Sequence, residues 1–259
     1  MTQTLEMRVK RYDSFKKCIY CLKTFELKDL NEEHIIPFSL NGTLIIDNAN
    51  CTKCGNHINK AFENPSSQAD FLMPRLLLGL RRRNKNNAKK LYTSRIIFND
   101  ESDREVVLEL KDYPGIVPFP TFEPPCILVG GKSEGHLTSL GISFLHLGLK
   151  RDYPYKQVEI NIPSRPCEFA LTLAKIAYCF AVAEKGLNYF NGDEMRDLIL
   201  CERDDIFNFV GGPIEWEYSS DRQLHALSIR HRGVWVTVVI HLFASFGAQT
   251  YEVVVGKKN

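Results

Sequence analysis

The sequence lacks long apolar runs and the signals that direct a chain into or across a membrane. Its most apolar stretch, residues 169–182, contains Lys175 and is shorter than the roughly 20 apolar residues that span a bilayer. Residues 1–11 are polar and charged, unlike the apolar core of a secretory signal peptide. We therefore expect a cytoplasmic protein with no membrane partner.

Acidic side chains are absent from residues 71–99, which carry eight Lys and Arg residues. Residues 1–99 hold 17 Lys and Arg against 9 Asp and Glu, whereas residues 100–259 hold 16 against 22. This asymmetry predicts an anionic partner for the first part of the chain only. Six of the cations form a basic arm: Arg81, Arg82, Arg83, Lys85, Lys89 and Lys90. The arm suits contacts to phosphates that do not read the bases. The alternative is that it is only a solvated surface.

The eight cysteines are expected to be metal ligands or buried thiols, because disulfides are rare in a reducing compartment. Four of them form two Cys-x2-Cys pairs, Cys18 with Cys21 and Cys51 with Cys54. Two such pairs can offer four thiolates to one tetrahedral Zn²⁺, which leaves no open position for a substrate. The spacing therefore predicts a structural zinc site, and the four scattered cysteines are expected to be buried thiols.

Hydrophobic periodicity and turn residues predict an α+β fold, in which a small zinc-pinned module precedes an α+β domain with an antiparallel sheet. Asn41-Gly42 lies between two short apolar runs and predicts a hairpin of residues 34–37 with 44–46. Helical spacing follows Cys54. We divide the chain into a module with the basic arm, 12–90, and a domain of unassigned role, 91–259.

The elements expected after the first helix are mostly antiparallel strands. Helices are predicted at 71–80, 166–185 and 192–200, and the Pro- and Gly-rich residues 113–131 are expected to form an irregular connector. Strands are predicted at 93–99, 104–110, 157–162, 214–218, 224–230, 234–244 and 251–255. For the second domain we expect a role in regulation, targeting or oligomerisation, through a second copy of the chain or a protein partner.

The sequence Glu33-His34-Ile35-Ile36-Pro37 lies between the cysteine pairs, and Asn48 and Asn50 stand just before Cys51. With these motifs, residues 18–63 resemble the HNH endonucleases, the ββα-metal nucleases, and in particular their four-cysteine zinc subgroup. The resemblance implies metal-dependent hydrolysis of phosphodiester bonds in DNA, with RNA as the alternative substrate. It also implies a catalytic Mg²⁺ or Mn²⁺, and it associates the chain with settings such as anti-phage defence.

The resemblance assigns roles to individual residues. His34 matches the general base that activates water, Glu33 the acidic metal ligand, and Asn48 or Asn50 the residue that fixes the base. The third family position, a metal ligand directly after the last cysteine, is Gly55 here and departs from the pattern. One inserted residue would give that role to Asn56, with His57 as the second choice.

Strand geometry raises one difficulty for these assignments, since adjacent side chains of a strand point to opposite sides. Glu33 and His34 can face one phosphate only if the strand is distorted, for example by a bulge. Two other interpretations therefore stay open beside the endonuclease. One is a zinc-ribbon protein that binds nucleic acid without cutting it, and the other is an interaction or scaffold protein with a degenerate nuclease module.

Overall fold

The computed structural model describes residues 9–80, 93–98, 102–131, 140–148, 155–214 and 223–259. The basic arm, with Arg81, Arg82, Arg83, Lys85, Lys89 and Lys90, lies outside the described residues, as does the predicted boundary at 90/91. The nucleic-acid role of the arm and the division into two domains therefore stay predictions.

The first part of the chain folds as two antiparallel strands and a helix, as predicted in kind. The first strand ends at His34, where the predicted strand begins, so the predicted strand 34–37 is wrong, whereas the predicted strand 44–46 and a helix around Cys54 are present. Strand β2 (Leu30–His34) pairs with β3 (Leu44–Cys51), and a short strand β1 (Lys10–Tyr12) adds to β3 in parallel. Helix α1 (Thr52–Ile58) then continues through a π-helical turn, Asn59–Glu63, into α2 (Asn64–Gln68).

The hairpin is distorted where the register between β2 and β3 shifts between Asn31 and Glu33, but Glu33 and His34 still point to different sides. Asn48 lies opposite this shift with a φ of 44°, a left-handed conformation that Asn tolerates better than most residues. The bulge breaks the two-residue alternation of β2, so that Leu30 and Glu33 are buried while Asn31 and Glu32 are exposed.

Helix α3 (Leu72–Leu77) and the strands β4 (Thr93–Phe98) and β5 (Asp103–Val107) follow, close to their predicted positions. Strand β4 lies between β5 and β8 (Tyr155–Ile160) in a three-stranded antiparallel sheet. Six short 3-10 helices connect described elements: Leu27–Asp29, Phe38–Leu40, Leu110–Asp112, Cys126–Leu128, Ile206–Asn208 and Ala244–Phe246.

The prediction of an irregular connector at 113–131 is wrong, because β6 (Ile116–Phe122) forms a ribbon with β7 (Leu140–His146). Pro118 and Pro120 are two residues apart and so face the same side of β6. The Leu147 N–H donates to the Gly115 carbonyl at 2.8 Å. In this register the odd-numbered residues of β6 form the hydrogen-bonded pairs with β7, and the even-numbered residues, which include both prolines, do not. Both prolines thus turn their missing N–H away from β7, as edge strands allow.

The last part of the chain forms a five-stranded antiparallel sheet, in agreement with the predicted class. Its strands are β9 (Phe190–Asn191), β10 (Val210–Gly211), β11 (His225–Arg232), β12 (Trp235–Leu242) and β13 (Tyr251–Lys258). Helix α4 (Pro166–Lys185) packs on β12 and β13, and helix α5 (Asp193–Ile199) packs on α4. The predicted strand 214–218 falls almost wholly outside the described residues.

Helix α4 is the centre of the core. Its buried face belongs to a continuous apolar cluster that includes Ile35 and Phe62 of the first part and Val253 of the last sheet. Among the described residues it is the one helix long and apolar enough to span a membrane, yet 72% of its most apolar window is buried inside the protein. This burial is typical of the core helix of a soluble protein.

His225, at the start of β11, connects the last sheet to the first part of the chain. Its Nε2 lies 2.7 Å from the Leu40 carbonyl oxygen, and its Nδ1 accepts a hydrogen bond from the Phe243 N–H at 3.2 Å. A neutral ring satisfies both contacts, whereas a protonated ring would lose its acceptor. Burial lowers the pKa of His225 to about 4.

We expect this histidine to make stability depend on pH. Between its ordinary pKa of about 6.5 and its folded pKa of about 4, the unfolded chain binds a proton that the folded chain excludes. Stability should therefore fall as the pH drops through this window, by up to about 3 kcal/mol from this one group. Urea unfolding of the wild type and of His225→Gln at pH 7 and pH 4.5 measures the effect. An equal loss of stability in both proteins would contradict it.

Candidate functional site

The four paired cysteines come together at one end of the β2–β3 hairpin. Their Sγ atoms all lie within 4.8 Å of one another, and all but Cys21 are buried. Burial and the neighbouring thiols raise the pKa of Cys54, so the cluster without a cation is electrostatically unfavourable. Four convergent sulfur atoms are the donor set of a structural Zn²⁺ site, and the cluster can hold such an ion.

A polar cleft of about 640 Å³ opens on the other side of the helix formed by α1 and α2. We call it the His34 cleft. One wall is the end of β2 with Glu32, Glu33 and His34. The other is the helix, which contributes Asn56, Asn59 and Glu63 at the three- and four-residue spacing of a single helix face.

His34 is held in the cleft wall by Glu32 of β2 and by Phe38 of the 3-10 helix that follows. Its Nε2 lies 3.3 Å from Glu32 Oε1, and its ring packs edge-on against Phe38 at 5.5 Å between centroids. Glu32 also pairs with the Arg11 guanidinium at 2.8 Å, which holds the pKa of Glu32 below its ordinary value. A carboxylate beside the imidazole fixes the orientation of the ring and favours a proton on Nε2.

Glu33 points the other way, into the protein, where it meets a lysine of α4. The Lys175 ammonium contacts Glu33 Oε1 and the His34 carbonyl oxygen, and it lies 3.1 Å from Glu63 Oε1. The Lys175 side chain is 1% exposed. Burial would lower the pKa of Lys175, but the two carboxylates raise it, so Lys175 stays charged.

The hairpin asparagines separate into two roles. Asn50 donates from Nδ2 to Glu33 Oε2 at 2.8 Å, across the hairpin and next to His34. The Asn48 amide instead faces the carbonyl oxygens of Leu27 and Leu30, at 3.2 and 3.3 Å, and supports the bulge. A Cβ at Gly55 would lie 2.6 Å from Asn50 Oδ1, so glycine at this position follows from the close approach of the Asn50 amide.

Asn56 and His57 lie on different faces of α1. Asn56 lines the His34 cleft, whereas His57 lines a groove beside Cys51 and Cys54, where α5 approaches. The structure thus brings His34, Glu33, Asn50 and Asn56 to the cleft and leaves Asn48 and His57 away from it. The catalytic roles of all six residues stay predictions.

Sequence reasoning missed Lys175 and Arg75 as members of the cleft. Arg75, on α3, lines the cleft and is oriented by the Ser67 carbonyl oxygen at 2.9 Å and the Ser39 carbonyl oxygen at 3.2 Å. The signal for Lys175 was present, because a lone charge on an otherwise apolar helix face is almost never buried without an acidic partner. Arg75 carries a signal of the same kind, because it is the one charged residue in the apolar stretch 71–80.

The chain was compared with known proteins. A family model described as HNH endonuclease matches residues 18–71, which contain the four cysteines, the hairpin, α1 and α2. No curated protein and no solved structure matches the chain. HNH nucleases use divalent metal ions and act on nucleic acid, and the matched residues hold both the cysteine cluster and most of the His34 cleft. Residues 18–71 of this chain are therefore an HNH endonuclease segment.

Proposed function

We propose that the chain is an endonuclease that hydrolyses phosphodiester bonds in DNA at the His34 cleft, with His34 as the general base. The observation that carries this proposal is that His34 lines a polar cleft inside the HNH segment together with Asn50 and Asn56. RNA is the alternative substrate, and incubation with plasmid DNA and with RNA distinguishes the two.

The environment of His34 suits a base that takes a proton from water. An imidazole with an ordinary pKa near 6.5 exists largely as the free base at neutral pH. The contact between Nε2 and Glu32 Oε1 at 3.3 Å places a carboxylate beside the imidazole. Glu32 would then stabilise the imidazolium that forms when water is deprotonated.

The positive charge needed to bind a phosphodiester is available at the cleft wall and next to it in sequence. Arg75 lies in the wall and is oriented by backbone carbonyl groups. A guanidinium suits bidentate contact with a phosphate. The basic arm that begins at residue 81 adds six cations, and we propose that they contact the flanking phosphates without reading bases.

The ligands that the resemblance assigns to a catalytic divalent ion do not fit such an ion as they stand. Glu33 is buried, with Oε1 taken by Lys175 and Oε2 by Asn50. A second cation beside the buried ammonium would be repelled. HNH nucleases as a family use divalent metals, but the role of Glu33 and Asn56 as ligands to Mg²⁺ or Mn²⁺ stays a prediction, and we derive no step through the ion.

For the cysteine cluster we propose a structural Zn²⁺ bound by Cys18, Cys21, Cys51 and Cys54. The four sulfur atoms are close enough to share one ion. The site would fix the start of α1, since Cys51 ends β3 and Cys54 lies in the first turn of the helix. It would thereby set the direction in which Asn56 enters the cleft.

The engagement of Glu33 by Lys175 favours a second candidate function, nucleic-acid binding without cleavage. A zinc-pinned segment with an intact cleft but no free carboxylate for an ion would hold the phosphate backbone without cutting it. Purified protein incubated with plasmid, with and without Mg²⁺ or Mn²⁺, separates the candidates. Retained DNA binding with no nicked or linear product under any condition would favour the binding protein.

The zinc proposal predicts about one zinc per chain and a large loss of stability when a ligand is removed. Cys51→Ala should lose the ion and several kcal/mol of unfolding free energy, because binding a structural zinc contributes directly to folding. Elemental analysis and urea unfolding measure both effects. Cys167→Ala is the matched control: Cys167 and Cys201 are exposed, so the expectation of buried thiols is wrong for both, and loss of Cys167 should change neither quantity. A zinc-free wild type would contradict the proposal.

His34→Ala should abolish cleavage while leaving DNA affinity nearly unchanged, because the base acts in the chemical step. We expect a loss in kcat of about 10²–10⁴-fold, the usual contribution of a general base. Single-turnover cleavage and filter binding on the same duplex measure the two quantities. Cleavage by His34→Ala at the wild-type rate would move the reaction to another site.

Asn56 should matter more to cleavage than His57, since only Asn56 lines the His34 cleft. The two variants Asn56→Ala and His57→Ala form a matched pair at adjacent positions of α1. We expect a loss of rate of tenfold or more in the first and less than threefold in the second, on the order of one hydrogen-bond contribution. The opposite ranking, in two folded and zinc-loaded variants, would give the third family position to His57.

A further inference from the structure

The ammonium of Lys175 is surrounded by oxygen atoms, and we call this group of oxygen atoms the cradle. A lysine side chain has three N–H donors, and three oxygen atoms surround this one: Glu33 Oε1, Glu63 Oε1 at 3.1 Å and the His34 carbonyl oxygen. Two of these atoms are carboxylate oxygens. Such a set would also suit a divalent ion of the hard, oxygen-binding kind.

The three oxygen donors come from the HNH segment, whereas the cation comes from outside it. Glu33 and His34 lie at the end of β2 and Glu63 in the helix, all within residues 18–71, which match the family. Lys175 lies in the middle of α4, more than a hundred residues further along the chain. The family resemblance therefore describes the cradle and carries no information about the lysine.

Several contacts keep α4 in the position that delivers Lys175. The Tyr178 hydroxyl donates to the Ile19 carbonyl at 2.6 Å, and the Thr172 and Ser66 hydroxyl groups lie 2.9 Å apart. Asp70 accepts hydrogen bonds from the Ser164 hydroxyl at 2.7 Å and the Arg165 N–H at 3.0 Å, just before α4 begins. These contacts hold α4 on both sides of Lys175, so the helix cannot withdraw from the cradle without breaking them.

Together these observations lead to a different role for Glu33 from the one the resemblance implies. We propose that Lys175 is the resident cation of the cradle, so that Glu33 binds α4 and is a positioning residue rather than a metal ligand. The pair holds the end of β2 in place, because the same ammonium binds the Glu33 carboxylate and the His34 carbonyl. Any divalent ion used by the His34 cleft is then bound without Glu33.

The proposal rests on the proposed function only in taking the His34 cleft as the reaction site, and its test needs no substrate. Mn²⁺ binding to zinc-loaded protein is measured by electron paramagnetic resonance, in which bound Mn²⁺ loses the sharp signal of the free ion. The wild type and Glu33→Gln should bind Mn²⁺ with the same affinity. Loss of even an indirect partner of a metal costs affinity on the order of 10–100-fold. A weakening of this size in Glu33→Gln would overturn the proposal.

Removing the lysine should convert the cradle into a metal site. Lys175→Met leaves Glu33 and Glu63 without their cation, so the variant should bind one additional Mn²⁺ at least tenfold more tightly than the wild type does. Its Tm should fall by about 10 °C without Mn²⁺, because a buried carboxylate is left unpaired, and should recover when Mn²⁺ is added. A folded Lys175→Met with unchanged Mn²⁺ affinity would contradict the proposal.

The double variant Lys175→Met/Glu33→Gln is the matched control. It replaces both charges with neutral groups of similar size, so it should regain most of the lost Tm and lose the additional Mn²⁺ site. If Lys175→Met does not fold, the Mn²⁺ affinities of the wild type and Glu33→Gln still test whether Glu33 is a metal ligand. Cleavage assays are independent of these Mn²⁺-binding measurements. If the wild type does not cleave DNA but the variants bind Mn²⁺ as expected, the proposed function alone is refuted.

Discussion

The buried ion pair between Lys175 and Glu33 is the interaction on which the arrangement of this protein depends. A lysine that is 1% exposed is tolerated only where polar contacts and opposite charges compensate its desolvation. Glu33, the His34 carbonyl and the Glu63 carboxylate supply these contacts from the HNH segment, while the lysine belongs to α4. When α4 packs against the HNH segment, it also brings the Lys175 ammonium to the carboxylates of Glu33 and Glu63 in the cleft wall. Isolated residues 18–71 would leave Glu33 and Glu63 close together without a cation, a different electrostatic state from that in the complete chain.

The cysteine cluster and the ion pair lie at opposite ends of the same helix. The cysteines lie at the start of α1, and Lys175 contacts Glu63 at the end of the π-helical turn. Asn56 and Asn59 lie between these two points and face the cleft. Ile58 and Phe62 of the same helix are buried in the apolar core. Core packing, a cysteine cluster that can hold a metal ion and a buried charge pair therefore position the polar groups of the cleft together.

How much of this followed from the sequence depends on how local each signal is. The cysteine spacing, the Asn-Gly turn and the helical period after Cys54 are local, and the structure confirms the cluster, the strand 44–46 and the helix. Strand β6 was missed because its prolines signal a loop unless the partner strand is known, and only the pairing with β7 shows that their missing N–H groups point away from that strand. The partner of Glu33 is not local at all. From the sequence alone, a carboxylate beside the histidine of the family motif is interpreted as a metal ligand. Only the tertiary structure shows that Lys175 contacts it.

The positions of Glu32 and Glu33 show why a family role cannot be transferred by sequence position alone. The two carboxylates are adjacent on β2, but the bulge opposite Asn48 turns Glu33 towards α4 and leaves Glu32 beside His34. Glu32 is 49% exposed and pairs with the solvated guanidinium of Arg11, so its interactions cost little to exchange. Glu33 is buried beneath the cleft, and exchanging its partner would require a buried ammonium to be displaced. Of the two carboxylates, the one that can respond to an incoming cation or phosphate is therefore Glu32, while Glu33 maintains the backbone that carries His34.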